Sequence, residues 1–163
     1  MTAYVDRRSA IKAELREIDE LVLLADAAEE LAVRGHLARL AVIRMSGFIE
    51  SAVQHMANAY LEEHSSHRVL AFAQTQVGKQ TNLNPTNLER LVGNFDAQWR
   101  AELTDFLAQD ERRQSLGNLI GARHKLAHGG SQAISTANMH TYHRLTEEVV
   151  KFLLGRFLPL PRN

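Results

Sequence analysis

The stretch 35-GHLARLAVIRMSGFIESAVQHMANAYLEEH-64 decides how this chain is built. Its apolar residues Leu37, Leu40, Ala41, Met45, Phe48, Ala52, Met56 and Ala59 recur at steps of mostly three and four. That is the period of one helical face, not the alternation of a half-buried strand. A long amphipathic helix is therefore predicted to open after Gly35 and run to about His64. Upstream, from Ser9, Ile11, Leu15, Ile18, Val22 and Ala25 draw the same kind of stripe, which predicts a first helix that Gly35 interrupts. The first helix is acidic (Glu14, Glu17, Asp19, Glu20, Asp26, Glu29, Glu30) and the start of the second is basic (Arg34, Arg39, Arg44). An antiparallel hairpin brings those charges together, at about 0–1 kcal/mol per exposed pair.

Downstream the helical pattern continues. A shorter helix is predicted over roughly Arg68 to Gln80, followed by a loop, Thr81-Asn82-Leu83-Asn84-Pro85-Thr86-Asn87, rich in turn residues. Thr86 or Asn87 is expected to cap a short helix through Val92, Asp96 one through Leu107, and Asp110 one that begins at Glu111. Gly129-Gly130 reads as a glycine stop, and Ser135 or Thr136 as the opening of a last helix through Phe157. Two of the three prolines, Pro159 and Pro161, stand near the C-terminus, leaving the interior almost free of helix breakers. The expected fold class is all-α: an antiparallel bundle of about five to seven helices forming one domain over residues 1–163.

Composition narrows the function classes. The chain has 163 residues, 45% of them apolar, enough to bury a core of its own. Lys plus Arg (19) equals Asp plus Glu (19), so no global field marks a DNA-coating protein or a membrane-surface binder, and any nucleic-acid site must be local. There is no cysteine, hence no disulfide frame, thiolate zinc site or cysteine nucleophile. No secretory h-region and no apolar run of about 18 residues is present, so the expected location is the cytoplasm, with no membrane partner.

The residues that break the pattern lie near Gly129. Turning the segment Gln114 to Ala127 by about 100° per residue gathers Leu116, Leu119, Ile120, Leu126 and Ala127 on one arc, with Gln114, Asn118 and Lys125 opposite. Arg123 falls at the centre of the apolar arc. A buried unpaired charge costs several kcal/mol, so Arg123 is expected in an ion pair, a cleft or a subunit interface. Taken alone, a snorkelling or structurally paired arginine is the plain reading. The neighbours add to it: Arg123-His124-Lys125-Leu126-Ala127-His128-Gly129 puts a permanent cation and titratable imidazoles within a turn and a half, at a point where glycines let the backbone leave helical geometry. Arginine and histidine together can hold a phosphate and move a proton without a metal.

Arg123 through His128 resembles the R-x4-H motif of the HEPN superfamily, including a polar residue directly after the arginine (His124) and the trailing Ala-His-Gly. The chain is most similar to the RiboL-PSP branch of that superfamily. The similarity runs from about Arg34 to Phe157 and is sharpest over Leu116 to Gly130. The resemblance implies a metal-independent RNA endonuclease that needs no cofactor and works as a homodimer, two motifs facing one cleft. His128 is then the general base for a ribose 2′-hydroxyl, and Arg123 stabilises charge on the phosphoryl oxygens. His124 orients substrate or helps protonate the leaving oxygen; a solvated helix residue is the equal alternative. A spacing of five sets Arg123 and His128 about 140° apart on an ideal helix, so their cooperation asks for an altered last turn or a second subunit.

Other constellations carry less. His124 and His128 stand four apart, as two helical zinc ligands do, but no glutamate follows His124 and no third ligand is evident, so no metal is expected there. His140 and His143, like His64 and His67, are three apart on or near helices and could bind a metal in the same loose sense, surface histidines being the favoured reading. Glu50, in Ser46-Gly47-Phe48-Ile49-Glu50, reads as a solvated helix glutamate, with a dimer contact or an accessory role in the cleft as alternatives. Trp99 and Phe106 read as core. No P-loop, dinucleotide fingerprint or G-x-S-x-G elbow is present. Two functions follow: a HEPN ribonuclease acting as a toxin or defence effector, restrained by an antitoxin such as a small nucleotidyltransferase; or a noncatalytic HEPN-like dimer that binds RNA, nucleotide or a partner protein.

Overall fold

A computed structural model describes residues 2–130 and 132–160 of the chain, with side chains from Asp6 onward; Pro161 lies outside them. Among the described residues there are seven helices and no strand: α1 (Thr2–Ala27), α2 (Leu31–His64), α3 (His67–Gly78), α4 (Pro85–Gly93), α5 (Ala97–Ala108), α6 (Arg112–Ala127) and α7 (Thr136–Phe157). The all-α class and the upper end of the expected helix number both hold.

α2 is the central post. Ala41, Val42, Met45, Ile49, Ala52, Val53 and Met56 are fully buried along it, and it touches α1, α3, α6 and α7. The alanines let neighbouring backbones come close, while Met45, Ile49 and Met56 fill the space between them. α1 runs antiparallel to α2, as the charge pattern predicts: Arg44 meets Glu17 at 2.8 Å, the Ser51 hydroxyl donates to Glu14 at 3.1 Å, and Arg7 meets Glu62 at 3.2 Å. α7 lies antiparallel to α1 and α5. Its Phe157, fully buried, is met edge-on by Tyr60, Phe95 and Trp99 at 5.0–6.0 Å between ring centroids, and Phe106 stacks on Phe152. Trp99 and Phe106 thus flank the core as half-buried rings.

Several helix ends differ from expectation, each for a local reason. The first break falls at residues 28–30, not at Gly35, which sits inside α2. Arg34 explains this: its guanidinium donates twice to the Ala28 carbonyl, at 2.7 and 3.1 Å, satisfying an acceptor that the end of α1 leaves without a helical partner. A glycine one turn inside a helix costs only about 1 kcal/mol, which the packing of α2 covers. α4 is capped by Asn84, whose side chain accepts from Asn87 N–H at 2.9 Å, with Pro85 in the first turn; neither Thr86 nor Asn87 is the cap. Pro in that position is favoured because its missing N–H is an orphan donor anyway. Asp110 does not cap α6 either: it and Glu111 both hold left-handed backbone (φ 51 and 57), α6 begins at Arg112, and the Asp110 carboxylate pairs with Arg112 at 3.1 Å. Asp96 and Ser135 cap α5 and α7 as expected. No helix of the described residues is long and apolar enough to cross a membrane.

Candidate functional site

α6 is anchored to the bundle by Leu116, Leu119, Ile120 and Ala122, all buried, with Leu126 half-buried. Ala127 is exposed, so the apolar arc is centred further from Arg123 than the helical wheel suggests. Arg123 stands on the edge of that arc, its side chain 38% exposed. It lines a cavity of about 400 Å³ between α1, α2 and α6, together with Glu14, Ile43, Arg44, Phe48 and Ser51. The charge is therefore in a cleft and is not sealed in the core.

Its ion-pair partner is Glu50, with Oε2 3.9 Å from Arg123 Nη2. Only 16% of the Glu50 side chain is exposed, and its Oε1 accepts the backbone N–H of Asn82 at 3.0 Å. Asn82 itself holds left-handed backbone (φ 56) in the loop before α4. The expectation of a solvated glutamate is thus overturned: the carboxylate bridges the loop and the cleft, leaving one oxygen directed at the arginine. The signal in the sequence was the small-residue run Ser46-Gly47 beside Glu50, which gave no hint that a loop 32 residues further along would fold back onto it.

The end of α6 is a double-glycine stop built in detail. His128 has left helical geometry (φ −94, ψ 19), Gly129 is left-handed (φ 77), Gly129 N–H donates to Leu126 O at 3.3 Å, and Gly130 N–H donates to Lys125 O at 3.0 Å. This is the paired 5→2 and 6→1 closure of a Schellman turn. Each glycine has its own reason. Gly129 needs the left-handed region, and a Cβ on Gly130 would lie 2.9 Å from the Lys125 carbonyl oxygen.

The turn brings two of the three predicted residues together. His124 and His128, both exposed, pack edge to face with ring centroids 4.4 Å apart. Arg123 is not part of that pair; among the described residues no hydrogen bond joins it to His128. The cavity that Arg123 lines and an adjoining open groove of about 440 Å³, bordered by Leu126, Gly129 and Gly130, meet at Ile43. Arg123 thus lines one opening, and Gly129, next in the chain to His128, borders its neighbour.

His140 and His143 are not simple surface histidines. His140 Nε2 lies 3.0 Å from Asp26 and the half-buried His143 Nε2 lies 2.6 Å from Asp19, each linking α7 to α1.

A seven-helix all-α bundle whose penultimate helix ends in an R-x4-H segment and a glycine turn defines a HEPN-type domain. Residues 6–156 match the RiboL-PSP-HEPN family, and the chain belongs to that family. The match starts well before Arg34, so α1 is part of the family's domain. No curated protein and no solved structure matches the chain.

Proposed function

We propose that this chain is a metal-independent RNA endonuclease of the HEPN type, working as a homodimer. The observation that carries the reading is the arrangement around the end of α6: a cleft-lining arginine steadied by a carboxylate, and beside it two exposed imidazoles in contact. That set supplies each role in cleavage by an internal nucleophile. His128 takes the proton of a ribose 2′-hydroxyl; the 2′-oxygen bonds to the adjacent phosphorus as the bond to the 5′-oxygen breaks. Arg123 offsets charge gathering on the phosphoryl oxygens, and the leaving 5′-oxygen takes a proton from His124. The products are a 2′,3′-cyclic phosphate and a free 5′-hydroxyl.

The second subunit enters through geometry. Arg123 lines one opening while Gly129, next to His128, borders a neighbouring one, and Leu40 and Ile43, 47% and 37% exposed, add apolar surface there. A two-fold axis beside α6 covers those side chains and sets the arginine of one protomer toward the histidine of its partner. In the cell the activity fits a toxin or defence effector held in check by an antitoxin, such as a small nucleotidyltransferase.

The test is cleavage of total RNA in EDTA. The wild-type chain should cut, His128→Ala should lose on the order of 10²–10⁴-fold, and Arg123→Ala on the order of 10²–10³-fold with its circular dichroism unchanged. A substrate carrying 2′-deoxyribose at the cut site should resist; cutting it at an undiminished rate overturns the mechanism. RNA binding without cutting would instead place the chain among noncatalytic HEPN-like dimers, and a monomer by light scattering at micromolar concentration would remove the composite site.

A further inference from the structure

On the seam where α7 lies antiparallel to α1, three side chains with metal-binding atoms converge. Asp19 comes from α1; His143 and Glu147, one turn apart on the same face of α7, come from the other side. One ligand atom of each lies within 4.8 Å of the other two, and among the described residues this is the one place where three such side chains gather. We propose that Asp19, His143 and Glu147 form a binding site for a borderline divalent transition metal, zinc being the best fit, that clamps α1 to α7.

Charge is the first argument. Asp19 and Glu147 direct two carboxylates at one imidazole, and like charges at that separation repel unless a cation stands between them. His143 meets Asp19 at 2.6 Å and is half-buried, so its ring is already aimed into the seam.

The donor set and its dimensions follow. One imidazole nitrogen and two carboxylate oxygens suit zinc or cobalt(II) better than calcium or magnesium, which take all-oxygen shells. With bonds of about 2.0–2.2 Å, ligand atoms around a tetrahedral zinc stand roughly 3.3 Å apart. The Asp19–His143 contact must open by less than about 1 Å. Glu147, exposed and with rotatable side-chain bonds, closes the remaining distance without moving a helix. Water completes the shell on the open side. The site belongs to the α1–α7 seam, whereas the proposed cleavage chemistry belongs to the end of α6.

The experiment uses the full chain, stripped with EDTA and desalted, titrated with zinc chloride by calorimetry and with cobalt chloride by visible absorbance. One zinc per chain at micromolar affinity is expected, with a visible cobalt spectrum and a thermal midpoint that rises on adding zinc. Glu147→Gln should weaken zinc at least tenfold and His143→Gln should abolish the cobalt spectrum, while the double variant His124→Gln, His128→Gln should bind as wild type does. Because Glu147 is exposed, its variant keeps the fold and decides the matter even if His143→Gln is unstable. Failure to bind zinc at 100-fold above micromolar concentration, or equal binding by Glu147→Gln, overturns the site; loss of binding in the His124, His128 variant assigns the metal to the motif instead. RNA cleavage that persists in EDTA leaves the proposed function standing whichever way the metal result falls.

Discussion

Glu50 Oε2 and Arg123 Nη2 face each other across 3.9 Å, while the other oxygen of the same carboxylate accepts Asn82 N–H at 3.0 Å. One carboxylate on α2 thereby ties a loop to the cleft and fixes the field at the arginine. Held this way, the guanidinium keeps its charge at the cavity mouth without a tight partner that would have to be broken when a phosphate arrives.

Glu50→Gln keeps the volume and an acceptor for Asn82 but removes the charge. The expected result is a fold as stable as wild type to within about 1 kcal/mol, with RNA cleavage reduced roughly tenfold through Arg123. Chemical denaturation and a cleavage time course measure the two effects; an unchanged rate with a large loss of stability makes Glu50 a structural residue only.

Gly130→Ala puts a Cβ 2.9 Å from the Lys125 carbonyl oxygen, so the 6→1 hydrogen bond must lengthen or break. A loss of about 1–2 kcal/mol is expected, together with a marked fall in cleavage, because the same turn sets the position of His128. Hydrogen exchange at the Gly130 amide reports the broken bond directly, and protection equal to wild type contradicts the account.

Glu102 is held below its ordinary carboxyl value of 4.5, first by the hydrogen bond from Arg156 and then by one from Gln98. A depressed value in the folded state means that the contribution is present above the unfolded value and is lost as pH falls through the folded one. The thermal midpoint of Glu102→Gln should thus lie below wild type at pH 7, and the gap should close as pH falls from the ordinary carboxyl value of 4.5 through the lower folded-state value. A gap independent of pH points to lost packing of Arg156 over Phe152, where its guanidinium sits 4.7 Å from the ring centre.

Phe157 is fully buried with three rings edge-on to it, so Phe157→Ala leaves a cavity that neighbouring aromatic side chains cannot fill by small shifts. The expected cost is about 3–5 kcal/mol, read as a shift of the urea midpoint. A loss under 1 kcal/mol shows that α2, α5 and α7 can collapse together at that point.

What the sequence determined by itself was everything that depends on neighbours along the chain. The three- and four-residue spacing of apolar positions produces α1, α2 and α7, since a helical stripe is a local periodic property. The caps at Asp96 and Ser135 and the glycine stop at Gly129-Gly130 are satisfied within a few residues, and the R-x4-H segment is a string in its own right. The tertiary structure decided what depends on partners distant in the chain. Arg34 moved the first break by reaching the Ala28 carbonyl; the burial of Ala122 and exposure of Ala127 turned α6 so that Arg123 met a cleft; a loop before α4 folded onto Glu50; and α1 and α7 came together to join Asp19 to His143 and Glu147. A periodic pattern says which face of a helix is buried, but the rotation of that face against its neighbours, and so the charge that ends beside another, is set by the packing of side chains between helices.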